Sequence, residues 1–398
     1  MICRSISRMP ENKVRMIEVN GQRVRQAREL RKLTQTELAR QVGVSQSTIA
    51  KMETSVRECE DALIEAIAFQ TGYPVSFFQQ GIGPEFPLGS LLFRCRASLA
   101  GTEKARIRQM AMLEFEIAER LSAKIKPIPL HLPSFNGEDP AVAARVTRTT
   151  LGLSPDAPIP NLINKLERNG IFVLALPSAH EKFDAFSLWS DGDPRRPIMV
   201  VSQDRPGDRL RLNCAHELGH LVLHKSPRGN LVAIEDEAQK FGAEFLLPEE
   251  AMRKEITSDS SLTDIAKLKP RWGVSIQALV YRAHDLGIID ERQYRYMFEQ
   301  ISRLKWRKSE PQNLDIPREK PRLFRKLAEL NFGTPPDPAK VGAVACVPAH
   351  IAESMLDAHA AKADLAKGEK GVPVKVAESE NTPNGTLIQF KRKTGSGQ

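Results

Sequence analysis

The chain has 398 residues, of which 41% are hydrophobic and 27% are charged, and its formal net charge is +9. No stretch approaches the roughly 18 apolar residues of a membrane span, and no secretory signal pattern opens the chain. The five cysteines are scattered and form no CxxC pair. These features exclude membrane-embedded and disulfide-stapled classes, and they predict a cytoplasmic globular protein of two or three domains.

The first predicted unit is a helix-turn-helix. Thr34 can cap a helix over 35–41, Gly43 can form the turn, and Ser45 can cap a second helix that runs to Glu53. Apolar residues with helical spacing supply a core on both sides of the turn. This order of elements is typical of a domain that inserts its second helix into the major groove of DNA.

The charge distribution agrees with nucleic-acid binding. Residues 1–58 contain twelve lysines and arginines against six acidic residues, a net charge of +6 out of +9 for the whole chain. A concentrated basic patch attracts the phosphate backbone. The alternative is a helical bundle with ordinary surface arginines.

The segment 21–58 closely resembles lambda-repressor-type (Xre-like) DNA-binding domains. The resemblance implies a double-stranded operator as partner and, since such domains usually read two half-sites, a homodimer. It also implies a phosphate contact from one glutamine and base contacts from four residues of the second helix. These residues are Gln35 for the phosphate and Gln46, Ser47, Thr48 and Lys51 for the bases.

A linker and one long helix are expected to follow this domain, which we place at 1–80. Residues 81–89 contain glycines and prolines and resemble a hinge. Residues 101–126 form an amphipathic helix whose apolar stripe suits either an internal core or a dimer seam. A proline-rich connector over 127–140 completes the linker domain, 81–140.

The next domain, 141–305, begins with predicted helices up to residue 170. Strands are then expected at 171–176, 187–189 and 198–201. Together the elements predict an α+β chain that is mostly α, with an all-α helix-turn-helix bundle followed by a second domain that contains both helices and strands.

Residues 216–220 read His-Glu-Leu-Gly-His, the most informative pentapeptide of the chain. Two histidines four apart lie about one turn apart on one helix face, so both His216 and His220 can bind one metal ion. Glu217 can take a proton from a water on that metal. The alternative is an amphipathic helix with two incidental histidines, although only 8 of 398 residues are histidine.

A zinc site needs a third protein ligand and an open position for water. His224 is near in sequence, but it lies about 12 Å from His216 along a continuous helix, which favours an indirect role. Glu235, predicted to open the next helix, is the better third ligand, with Gln239 able to orient a ligand from behind. Alternatively, Glu235 merely favours a helix N-terminus.

The segments around 184–189, 196–224 and 235–248 resemble the ImmA/IrrE family of metallopeptidase-like regulators. The resemblance covers about 170–290 and implies a zincin-like fold with one Zn²⁺. It assigns the metal ligands to His216, His220 and Glu235 and the general base to Glu217. Gln239 stands where the family usually has Asn or Asp.

The C-terminal extension, 306–398, contains weaker helical patterns at 321–330 and 351–367, and its tail is expected to be disordered. Two hypotheses about the function remain open. The chain is either a DNA-binding regulator whose zinc peptidase domain cleaves a repressor or partner protein, or a non-proteolytic regulator. The second hypothesis includes a ligand sensor and the antitoxin of a toxin–antitoxin operon, with the toxin as its protein partner.

Overall fold

The computed structural model describes residues 15–83, 86, 99–177, 181–191, 194–225 and 230–361. Within them the fold is α+β and mostly α, as the sequence predicts. The expected disordered tail and most of the expected hinge at 81–89 lie outside the described residues. No helix in the described part of the chain is long and apolar enough to cross a membrane.

The N-terminal bundle contains five helices and a small sheet. The helices are α1 (Gly21–Leu30), α2 (Gln35–Gln41), α3 (Gln46–Met52), α4 (Asp61–Thr71) and α5 (Val75–Phe78). The sheet was not expected: β1 (Met16–Asn20) pairs antiparallel with β2 (Val56–Glu60) and ties the two ends of the helix-turn-helix together. The two strands lie about 40 residues apart in the sequence, so no local sequence pattern predicts their pairing.

The helix caps of the helix-turn-helix are those that the sequence predicts. Thr34 and Glu37 form a reciprocal capping box at the start of α2, which satisfies two backbone N–H groups. The Ser45 side chain accepts a hydrogen bond from the Thr48 backbone N–H at the start of α3. Gly43, with φ of +73°, adopts the left-handed turn between the helices.

Helix α6 (Gly101–Ser122) lies in the interior of the molecule. Ile107, Leu113 and Ile117 are buried in one hydrophobic cluster that also contains α1 of the bundle and part of a second sheet. Of the two interpretations of this apolar stripe, the structure therefore favours an internal core.

The second sheet has three strands, β3 (Phe172–Leu176), β4 (Ala185–Trp189) and β5 (Pro197–Ser202). Their order is β3-β5-β4, with β3 parallel and β4 antiparallel to the central β5. Because side chains alternate along a strand, Phe172 and Leu174 join the cluster of α6, whereas Val173 and Ala175 join the cluster on the opposite face.

The opposite face of the sheet carries a second group of helices. They are α7 (Pro140–Thr150), α8 (Leu162–Arg168), α9 (Gly207–Leu223), α10 (Leu231–Leu246), α11 (Glu249–Glu255), α12 (Leu262–Trp272), α13 (Ile276–Asp285) and α14 (Glu291–Arg303). The pair α12–α13 packs into this core through residues such as Trp272 and Leu279.

The C-terminal extension packs against the α6 side of the sheet. Its helices are α15 (Leu323–Phe332), α16 (Pro338–Ala343) and α17 (Ala349–Ala358). Phe324, Val341 and Met355 belong to the cluster that α6 and the N-terminal bundle share. The sheet thus separates two cores, one with the His-Glu-Leu-Gly-His helix and one with the N-terminal bundle.

Candidate metal centre and nucleic-acid interface

Two helices place three side chains of the predicted metal site together. His216 and His220 lie on α9, and Glu235 lies on α10. The two Nε2 atoms are 3.0 Å apart, and the Glu235 carboxylate oxygens lie 3.1 Å from Nε2 of His216 and 3.4 Å from Nε2 of His220. These three side chains form a possible metal-binding group.

Glycines allow the two helices to approach closely. A Cβ added at Gly242 of α10 would lie 3.2 Å from the backbone nitrogen of His216, and one added at Gly219 of α9 would lie 3.1 Å from the Phe241 ring. Helix α10 begins at Leu231, with Asn230 as its cap, so Glu235 lies one turn inside the helix rather than at its start. This corrects the expectation that Glu235 opens the helix and removes the capping alternative.

The spacing of the three ligand atoms fits a zinc ion. Zinc–nitrogen and zinc–oxygen bonds of about 2.0–2.2 Å in a tetrahedron place neighbouring ligand atoms about 3.3–3.6 Å apart. The observed separations of 3.0–3.4 Å are close to that edge length. His220 is 1% exposed, whereas His216 is 21% and Glu235 44% exposed, so the cluster opens to solvent on one side.

Electrostatics also suits a cation. Partial burial raises the pKa of the Glu235 carboxyl, but hydrogen bonds from His216 and His220 and the charges on those rings outweigh burial and lower the pKa overall. Cys214, two residues before His216, is fully buried, and that burial raises the pKa of its thiol. Cys214 therefore stays a packing residue, as its position on α9 predicts.

His224 contacts the site indirectly. It caps the end of α9, its Nδ1 lies 3.1 Å from Nδ1 of His220, and its Nε2 lies 2.8 Å from Oε2 of Glu237. The chain Glu237–His224–His220 holds the His220 ring from the side opposite its Nε2. Gln239 is exposed and makes no hydrogen bond among the described residues, so Glu237 takes the supporting position expected for Gln239.

The Glu217 carboxylate is buried beside strand β4. Its Oε2 accepts a hydrogen bond from the Ser187 hydroxyl at 2.7 Å, and the backbone oxygen of Glu217 lies 3.0 Å from the same hydroxyl. Trp189 of the same strand donates its indole N–H to the backbone oxygen of Leu221 at 3.2 Å. Strand β4 thus fixes α9 along its length, a contact that the sequence analysis did not predict.

The predicted DNA-contacting residues lie together on α2 and α3. Gln46, Ser47 and Lys51 are exposed, whereas Ile49 and Met52 on the opposite side of α3 are buried. Thr48 is half-buried, and its hydroxyl lies 2.8 Å from that of Ser45.

A hydrogen-bond chain orients the glutamines of this surface. Gln46 donates to Gln35 at 2.8 Å, Gln35 donates to Glu53 at 2.8 Å, and Glu53 forms two bonds with the Arg28 guanidinium at 2.5 and 2.8 Å. The sequence analysis missed Arg28 and Glu53, because neither lies on the predicted base-contacting face.

Two family models match separate parts of the chain. Residues 24–78 match the family model described as helix-turn-helix, and residues 166–284 match the model described as IrrE N-terminal-like domain, a peptidase family. No curated protein matches the chain at a significant level. The chain therefore combines a DNA-binding domain with a metallopeptidase-like domain. More specifically, one segment matches an Xre-like helix-turn-helix and a later segment matches an ImmA/IrrE-type domain.

Proposed function

We propose that this protein is a sequence-specific transcriptional regulator that binds duplex DNA through α3 and holds one zinc ion between α9 and α10. The observation that carries the DNA-binding part is the amphipathic split of α3. Its Gln46 and Lys51 side chains are free of the core, while Ile49 and Met52 anchor the helix. In this proposal Gln35 contacts a phosphate beside the bases.

A homodimer is part of this proposal. Helix-turn-helix domains usually bind two half-sites about 34–36 Å apart, which one copy of a domain cannot span. Light scattering of the complex with its operator tests this part, since a single chain bound to DNA would contradict it.

The metal-binding part of the proposal assigns His216, His220 and Glu235 as zinc ligands. When bound, zinc supplies a Lewis acid and a water molecule whose pKa lies near neutrality. Glu217 would accept the proton of the attacking water and pass it to the departing amide nitrogen, with Ser187 holding the carboxylate in place. The reaction that this arrangement supports is hydrolysis of a peptide bond in a repressor or partner protein.

The second candidate is regulation without proteolysis, as a ligand sensor or as the antitoxin of a toxin–antitoxin pair. One observation favours it: the DNA-binding bundle is docked on α6, and α6 packs on the same sheet that supports α9 from the other face. A change in either core can therefore bias DNA binding without cleavage, provided that its ligand has different affinities for two states.

The DNA-binding proposal is tested by selecting duplexes from a random pool with the full chain. Binding of the selected duplex is then measured by fluorescence anisotropy for Lys51→Ala, Gln46→Ala and the control Lys267→Ala, an exposed lysine of α12. Each α3 variant is expected to lose about 1–3 kcal/mol of binding free energy and to relax base preference at one position. Equal binding by the α3 variants and the control would overturn the proposal.

Glu217→Gln separates the two candidates. The variant keeps the metal ligands and the shape of the side chain but loses the base. If DNA-linked regulation disappears while zinc and folding persist, proteolysis is the signal. If regulation persists, the metallopeptidase-like domain acts as a sensor or as a docking site for a partner.

A further inference from the structure

We propose that a pocket between α6, β3 and α15 binds a small carboxylate with an apolar body. We call it the α6–α15 pocket. It is distinct from the metal centre, because its wall residue Phe172 belongs to the core on the α6 side of the sheet, whereas α9 belongs to the core on the other side.

The size and walls of the pocket set the apolar part of the ligand. Its volume is about 200 Å³, and Phe172, Leu323 and Leu327 line it. A cavity of roughly 150 Å³ with similar apolar walls binds benzene. The α6–α15 pocket therefore has room for a single substituted ring or a chain of about six to eight carbons, by the same comparison.

Three cations set the charge of the ligand. Lys126, Arg196 and Lys326 line the pocket. Arg196 is half-buried, with its guanidinium carbon 5.9 Å from the centre of the Phe172 ring. Among the described residues, none of the three cations forms an ion pair with a carboxylate.

Two acidic groups lie in the wider neighbourhood. Glu119 interacts electrostatically with Arg196, and Glu167 with Lys326, but neither carboxylate comes within ion-pair distance of that cation. The three positive charges therefore remain available to an anion. Apolar walls beside them favour a carboxylate with a hydrocarbon part over inorganic phosphate, which would leave those walls facing water.

The position of the pocket gives its occupant access to the DNA-binding bundle. Ser122, at the end of α6, lines the pocket, and the same helix contacts α1 of the bundle through the buried ion pair of Arg23 with Glu116. A ligand that touches both α6 and α15 therefore contacts the element on which the bundle is docked.

The test is isothermal titration calorimetry of the full-length protein with octanoate and benzoate. The matched neutral probes are 1-octanol and benzyl alcohol, and inorganic phosphate serves as an anion without an apolar part. We expect at least one carboxylate to bind at least tenfold more tightly than its neutral partner and than phosphate. If neither carboxylate binds more tightly than its matched alcohol, the proposal is wrong.

Variants locate the binding to the pocket. Arg196→Gln and Lys326→Gln are each expected to weaken carboxylate binding at least tenfold, whereas Lys124→Gln, an exposed lysine outside the pocket, leaves it unchanged. Leu330→Asp places a carboxylate at the rim and should abolish binding. Leu330 is 61% exposed, so the fold should tolerate this change. Wild-type affinity for the carboxylate in Lys326→Gln and Leu330→Asp would overturn the proposal. Because the experiment uses neither DNA nor zinc, failure of the pocket proposal does not affect the proposed function.

Discussion

The Ser187 hydroxyl lies 2.7 Å from the Glu217 carboxylate, which joins the edge strand β4 directly to the residue that we propose as the general base. Both side chains are buried, at 2% and 4% exposure. Hydrogen bonds to charged groups are worth about 1.5–3 kcal/mol, enough to fix the orientation of a carboxylate. Ser187 is therefore a positioning residue for Glu217.

If the protein cleaves a peptide substrate, Ser187→Ala should lower kcat about tenfold or more and leave KM unchanged, because only the orientation of the base is lost. Zinc content should stay at the wild-type level. Ser187→Thr keeps a hydroxyl on a β-branched side chain suited to a strand, so it should restore kcat. Equal loss of kcat in the Ala and Thr variants would mean that Ser187 acts only through packing.

The helix-turn-helix is docked on α6 by a buried ion pair. The Arg23 and Glu116 side chains are 0% and 4% exposed, and their charged atoms lie 2.5 Å apart. Removing Glu116 leaves the buried Arg23 guanidinium without a carboxylate partner, so Glu116→Ala should lower the free energy of unfolding by about 3–5 kcal/mol. Arg23→Ala should cost less, because Glu116 keeps Arg120 as a partner at 2.6 Å.

Denaturant unfolding of the full chain measures this effect. The double variant Arg23→Met/Glu116→Leu should recover most of the loss, because apolar residues of similar size replace both charges. The control is Asp236→Ala, which removes an exposed ion pair with Lys240 and should leave the denaturation midpoint unchanged. A loss for Glu116→Ala no larger than that of the control would contradict the docking account.

Glu167 predicts a pH dependence of stability. Burial raises the pKa of its carboxyl to about 7 from 4.5, although the backbone N–H groups of Leu323 and Arg322 donate to it and lower the pKa in part. Because the folded pKa is the higher one, this stabilising contribution is fully present below pH 4.5 and is lost as pH rises through about 7.

Glu167→Gln cannot titrate, but its amide oxygen can still accept from both backbone groups. Relative to wild type, the variant should gain up to about 3 kcal/mol in the free energy of unfolding between pH 4.5 and 8. Denaturant melts at several pH values measure the difference, with exposed Glu65→Gln as control. A difference that does not grow with pH would show that Glu167 is charged in the folded state at neutral pH.

The sequence predicted the local features of both sites because those features depend on short spacings. The Thr34 and Ser45 caps and the pairing of His216 with His220 involve residues no more than four apart, so helix geometry alone determines them. The sequence therefore predicts the chemistry of these residues without knowledge of the tertiary fold.

Contacts between distant segments could not be predicted from the sequence in this way. The pairing of β1 with β2, the Ser187–Glu217 hydrogen bond and the packing of α15 on the sheet depend on which faces meet. The support of His220 by His224 and Glu237 shows the same limit: Glu237 reaches His224 only because that histidine ends its helix and closes the gap to α10.

The measurement that tests the central claim most directly is the zinc content of the purified full-length protein and its variants by mass spectrometry. We expect one zinc per chain in the wild type and in Glu217→Gln, and loss of zinc in His216→Ala, His220→Ala and Glu235→Ala, because each removes one of the clustered ligand atoms. Stoichiometric zinc in the double variant His216→Ala/His220→Ala would contradict the proposed metal centre.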